Sequence, residues 1–147
     1  LSLHDALPIY VCSDPDKISH ASLHGIKPEF CANLLTEWFE NLRLAPFKRI
    51  LPIAHNWVFD RAFLIEWLGW NLFDYMISPL FRDTMMMSLY DNDAAGWHGE
   101  EYPFQVNTLA RLCNVLGVVN TAPHTAIGDC AATADVYRLL ISKRIYV

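Results

Sequence analysis

No two of this chain's four cysteines, Cys12, Cys31, Cys113 and Cys130, form a C-x-x-C pair. A zinc knuckle or disulfide framework is therefore poorly supported, and reduced thiols in a cytoplasm fit better. No apolar run reaches the ~18 residues of a membrane span, so no membrane partner is expected. The start lacks the basic stretch of a secretory signal, and it lacks an initiating Met. Charged residues are only 18% of the chain and the formal net charge is −5. That argues against a broad basic surface gripping nucleic acid by counterion release. It leaves room for an acidic site whose local sign is reversed by bound metal. Internal repeats, low-complexity tracts and interdomain linkers are also missing.

What is present is apolar. Hydrophobic residues make up 53% of 147 residues, with five Trp and eight Phe. This is enough for one domain with its own core. Ser2-Leu3-His4-Asp5-Ala6-Leu7-Pro8-Ile9 resembles translated sequencing-adapter read-through, so residues 1–9 are set aside as non-native. The alternative is a genuine short strand. The domain is then residues 10–147, read as a piece that lost its natural N-terminus.

Residues 10–27 read as loop, with Ser13-Asp14-Pro15-Asp16 as turn chemistry. Phe30, Leu34, Leu35, Trp38, Phe39 and Leu42 recur at helical spacing after Pro28. Residues 49–54 read as a short buried strand, or an edge strand because of Pro52. A helix follows from about Val58 to Leu68 and stops at Gly69. Arg82-Asp83-Thr84 closes a short strand, Met85 to Tyr90 form a short helix, and Asp91 to Pro103 read as loop. Asn107 is expected to cap a helix ending at Gly117, and a last helix runs from near Thr125 to about Arg144. Helices alternating with a few strands predict an α/β or α+β layer fold.

Two spacings carry chemistry. His55 and His124 each precede an aspartate by five residues, Asp60 and Asp129, and each Asp heads an apolar helix. From Asp60 the helical spacing leads to Phe63, Leu64, Trp67 and Leu68, and from Asp129 to Ala132, Thr133, Val136 and Leu140. A buried carboxylate is costly without a partner, and a divalent metal is one such partner. The small residues Ala126, Gly128, Ala131, Ala132 and Ala134 allow close approach of a neighbour, with Asp129 facing it. His124 can take a proton from water near neutral pH. Asn56 can cap the helix that carries Asp60 or orient a ligand, and Phe59 and Phe63 offer faces on which bases could stack. Taken singly, each Asp is an ordinary helix-start residue. Phe63, Trp67 and Trp70 are core candidates, Met85 to Met87 packing filler, Asp83, Asp91 and Asp93 turn or cap residues, and Cys130 a small buried hydrophobe.

Together, in order, these motifs resemble a known family. His55-Asn56-Trp57-Val58-Phe59-Asp60 is similar to the second exonuclease motif of DnaQ-like, DEDDh-type 3′–5′ exonucleases, and His124 to Asp129 to their third. Ile18-Ser19 through His24-Gly25-Ile26 resembles the segment ahead of the family's first long helix. Asn107-Thr108-Leu109-Ala110-Arg111-Leu112 through Gly117 resembles the helix before the third motif. The resemblance spans residues 17–142. It implies an α/β, ribonuclease H-like three-layer fold with a central mixed sheet, its first strands missing here. It implies two divalent metal ions, Mg²⁺ or Mn²⁺, clamping the attacking and leaving oxygens. His124 would be the general base, and Asp129 and Asp60 metal ligands, Asp60 often through water. Asn56, Phe59 and Phe63 would contact substrate, a single-stranded 3′ end of DNA or RNA, releasing nucleoside monophosphates. A polymerase is a further partner the resemblance allows.

The family's first motif, Asp-x-Glu on the first strand, does not occur upstream of residue 24. Glu37 and Glu40 lie on the first expected helix and do not replace it. Weak metal binding and little activity are therefore expected of the chain as it stands. The alternatives are a catalytically inactive nuclease-fold scaffold and an unrelated metal-dependent hydrolase using the same residues.

Overall fold

The computed structural model of this chain describes residues 25–44 and 48–142. Residues 1–24, with the adapter-like stretch, Asp14-Pro15-Asp16 and Ile18-Ser19, lie outside the described residues, as do Lys143 and Arg144. The described chain is mixed α/β and mostly helical. Its elements are α1 (Pro28–Asn41), β1 (Ile53–Ala54), α2 (Trp57–Leu68), α3 (Trp70–Met76), β2 (Arg82–Asp83), α4 (Thr84–Trp97), α5 (Leu109–Leu116) and α6 (Ala126–Ser142). No helix among the described residues is long and apolar enough to cross a membrane.

Contacts divide the chain into two compact units. One takes the described residues up to Ile50 together with Phe63–Ser78. Pro28 opens α1, where its missing N–H costs nothing, and Glu29 sits in the first turn. Cys31 and Phe39 are buried, and Phe39 meets Tyr75 edge-on at 5.4 Å. Phe30 and Trp38, expected on the buried face, are exposed. The Trp67 indole donates to the Pro28 carbonyl at 3.0 Å. Gly69 separates α2 from α3 with φ 74°, a left-handed conformation suited to glycine. Trp70 is 55% exposed rather than core. Arg49 holds Asp74 through both guanidinium nitrogens at 2.9 and 3.3 Å.

The other unit takes Leu51–Ala62 together with the described residues from Pro79 on. β1 and β2 pair in parallel, Ile53 opposite Arg82 and Ala54 opposite Asp83. The strand expected over residues 49–54 is thus shorter and is not buried, since Ile53 is exposed. Pro52 accounts for the break: it has no N–H to donate, and its carbonyl takes the Arg82 N–H at 2.9 Å. Ile50, on the other side of it, bridges instead to Ile77 within the first unit.

Phe104, Leu112, Cys113, Ala132, Val136 and Leu140 form the core of this unit. α6 packs against β1, α4 and α5. Ala132, Thr133, Val136 and Leu140, the face reading from Asp129, are all buried. Helix α4 runs to Trp97, well past the expected end at Tyr90, so Asp91 and Asp93 are helical rather than turn residues. The reason lies in Asn92. Its buried amide donates to the Phe104 carbonyl at 2.6 Å and accepts the Phe104 N–H at 3.0 Å, binding the helix to the following loop. The cap of α5 is Thr108, which accepts the Arg111 N–H, and not Asn107, whose amide donates to Ser88 at 2.7 Å.

Candidate functional site

The second unit gathers three helix N-termini with an acid at each. Asp83 ends β2 and caps α4, accepting the N–H groups of Met85 at 2.9 Å and Met86 at 3.3 Å. The same carboxylate reaches the start of α2, where it accepts Asn56 N–H at 3.0 Å and Trp57 N–H at 2.7 Å. It is only 4% exposed. Four backbone donors satisfy it, so a buried charge is matched by two helix termini whose dipoles favour it. Of the two roles read for Asn56, capping α2 or orienting a ligand, the first falls to Asp83, which reaches the start of α2 from β2. The Asn56 backbone is left-handed, φ 70°, which asparagine tolerates better than most residues. Its side chain is half-buried and makes no hydrogen bond among the described residues.

His55 is also half-buried. Its Nδ1 lies 2.9 Å from the Thr84 hydroxyl, and the ring bonds the Asn107 backbone. Burial pushes its pKa below 6.5, against opposing contributions from the Asp83 charge and the Asn107 bond. A neutral ring fixed at both ends serves the architecture around the site.

Asp60 lies one turn into α2 and is half-buried. Burial raises its pKa, and the negative charge of Asp83 raises it further. Asp129 lies in the first turn of α6, also half-buried. Its Oδ1 accepts the Asn120 amide at 2.8 Å, and Asn120 Oδ1 in turn accepts the Ala122 N–H at 3.1 Å. Asn120 was read only as part of a loop, and nothing in its spacing marks it.

Cys130 joins the two acids. Burial raises its thiol pKa first, then the charge of Asp60, then that of Asp129. Both carboxylates are thus within electrostatic reach of one sulfur. Cys113, buried on α5, is raised mainly by burial and then by Asp129. Cys130 keeps solvent contact although its surroundings partly desolvate the thiol, so it is not the expected buried hydrophobe. The core face of α6 is taken by Ala132, Val136 and Leu140, which turns position 130 outward.

The loop before α6 folds tightly onto it. Thr125 Oγ1 donates to the Ala122 carbonyl at 2.7 Å and accepts the Gly128 N–H at 3.1 Å. A Cβ at Gly128 would stand 2.1 Å from that carbonyl oxygen, so the small-residue stretch is needed where the loop crosses the helix start. His124 sits in this loop with φ 63°, exposed, and makes no hydrogen bond or ion pair among the described residues. A left-handed non-glycine residue costs roughly 1–2 kcal/mol. Phe59 and Phe63 are 51% and 46% exposed. Phe59 belongs to the same unit as Asp60, whereas Phe63 belongs to the other.

Asp60 and Asp129 supply hard oxygen donors and have no ion-pair partner among the described residues. A Mg²⁺-class cation is commonly held by one or two carboxylates, with water and phosphate oxygens completing its shell. The pair fits that minimal role. It does not form a closed cage, since no group of three or more His, Cys, Asp or Glu among the described residues could hold a metal. Asp83 is committed elsewhere: it is buried and accepts four backbone N–H groups, three at Oδ1 and one at Oδ2. A shallow hollow of about 370 Å³ in this unit is lined by Phe81, Arg82, Asp83, Met86, Met87 and Tyr90, and neither Asp60 nor Asp129 borders it.

No protein-family model, curated protein or solved structure matches the chain.

Proposed function

We propose that this chain is part of a DnaQ-like, DEDDh-type 3′–5′ exonuclease domain of ribonuclease H-like fold. It would hydrolyse phosphodiester bonds at nucleic-acid 3′ ends and release nucleoside monophosphates. The observation that carries the reading is that Asp60 and Asp129 head helices in the same compact unit, where α6 packs against β1, the strand that leads into α2. The two acids follow one another in the order the resemblance implies, and both fall in the second unit.

Asp60 and Asp129 would hold a divalent cation, Mg²⁺ or Mn²⁺, which when bound supplies charge neutralisation and Lewis acidity at the scissile phosphate. The chain's own residues do the rest. An imidazole nitrogen of His124 accepts the proton of the attacking water, a role that suits an exposed ring at a helix entrance. The exposed ring of Phe59, in the same unit as Asp60, can stack on a terminal base. Asn56, whose amide is uncommitted, is placed to hydrogen-bond substrate. The substrate is then a single-stranded 3′ end, of DNA or RNA, with a polymerase as partner where the activity is proofreading.

A second reading, a catalytically inactive nuclease-fold scaffold, is favoured by the use made of Asp83. The third acid of the locality is spent on backbone donors. One assay separates the two. The complete protein is given 3′-end-labelled single-stranded DNA and RNA with Mg²⁺, and release of the labelled mononucleotide is followed. Release that falls at least 10²-fold in His124→Ala, and also in Asp129→Asn, supports the enzyme. Equal rates for Asp129→Asn and the parent defeat it.

A further inference from the structure

We infer that Asn120 is a positioning residue for Asp129, setting the direction in which its carboxylate presents a free oxygen to a cation; this rests on the exonuclease reading above. The Asn120 amide is held at both ends. Its Oδ1 accepts the Ala122 N–H at 3.1 Å, which fixes the amide plane and determines that Nδ2 faces the helix. Nδ2 then donates to Asp129 Oδ1 at 2.8 Å. One carboxylate oxygen is thereby fixed, and Oδ2 makes no hydrogen bond among the described residues.

The chemical type of the partner matters. Asn120 is neutral. A lysine or arginine in its place would also orient the carboxylate, but would neutralise it and compete with a cation. An amide donor restrains the rotamer while leaving the negative charge available. The arrangement is local to the loop: Asn120, Ala122, Thr125 and Gly128 are tied to one another and to the first turn of α6. Within that set, only Asn120 touches Asp129 through its side chain. Hydrogen-bonded partners of metal ligands commonly contribute about 10–100-fold to metal affinity.

The test uses the full chain and Mn²⁺ alone, with free Mn²⁺ read by electron paramagnetic resonance and folding by thermal melting. Asn120→Ala removes the donor to Asp129. Thr125→Ala loosens the same loop by removing the bonds to Ala122 and Gly128 but leaves the donor in place. The expected result is Mn²⁺ affinity about ten-fold weaker in Asn120→Ala, and within two-fold of the parent in Thr125→Ala, at comparable melting temperatures. Equal affinity in Asn120→Ala and the parent overturns the positioning role while leaving the exonuclease reading intact. Equal losses in both variants also overturn it, because loop integrity alone would then account for the effect. A parent that binds no Mn²⁺ overturns this inference, whereas the exonuclease reading stands or falls on the nuclease assay of the complete protein.

Discussion

Asp60 stands on α2 where burial and the Asp83 charge both oppose its ionisation. A carboxylate with a raised folded pKa keeps its proton longer in the native state than in the unfolded chain. Stability therefore falls as pH rises through the folded value, from an ordinary value of 3.8 upward. At neutral pH the charge is therefore a net cost to the fold. Asp60→Asn should raise the melting temperature at pH 7 and leave it unchanged in acid below the ordinary carboxylate range. Scanning calorimetry across pH checks this, and a drop at pH 7 would mean that Asp60 has a stabilising partner. His55 acts in the opposite direction. Its folded pKa is depressed, so the unfolded chain takes up a proton first. Stability is full above about 6.5 and declines as pH falls through that value. His55→Gln, which can still bond Thr84 and Asn107, should flatten the decline between pH 7 and 5 in urea titrations. An undiminished slope would assign it to another group.

Asp83 joins two helices. One side chain caps α4 in the ordinary way and α2 from a distance. Its role as a cap was legible, because an Asp ahead of an apolar helical run is a standard start signal. Its second role was not, since the partner N–H groups of Asn56 and Trp57 lie 27 and 26 residues away. Asp83→Ala should destabilise by about 2–4 kcal/mol, two caps of roughly 1–2 kcal/mol each. Asp83→Asn should recover part of this, because an amide oxygen can still accept. Chemical denaturation of the three proteins measures it, and a loss under 1 kcal/mol would show that water replaces the carboxylate. The same distinction explains the other elements. The ends of α2 and α5 were readable from Gly69 and Gly117, both left-handed here. The extension of α4 was not, because it depends on Asn92 pairing with a backbone twelve residues away. The core face of α6 followed from periodicity, while the apolar face of α1 did not stay buried at Phe30 and Trp38.

The molecule as a whole is mixed α/β, with parallel β1–β2 pairing and the acids Asp60 and Asp129 in one of its two compact units. The sequence marked both acids, because each heads an apolar helix behind a histidine. It did not mark Asn120, whose part is fixed by a loop geometry without a residue pattern. It also gave no sign that the two histidines differ: His55 is fixed inside, and His124 is exposed. Equal spacing in sequence thus leads to unequal roles in space. The central claim is that Asp60 and Asp129 belong to one cation site. Amide NMR of the full chain during Mn²⁺ titration tests it most directly, through paramagnetic broadening. Signals from residues 59–61 and 128–130 should broaden together at the same Mn²⁺ concentration and recover on adding excess Mg²⁺. Broadening of one group without the other, or at positions remote from both, would contradict it.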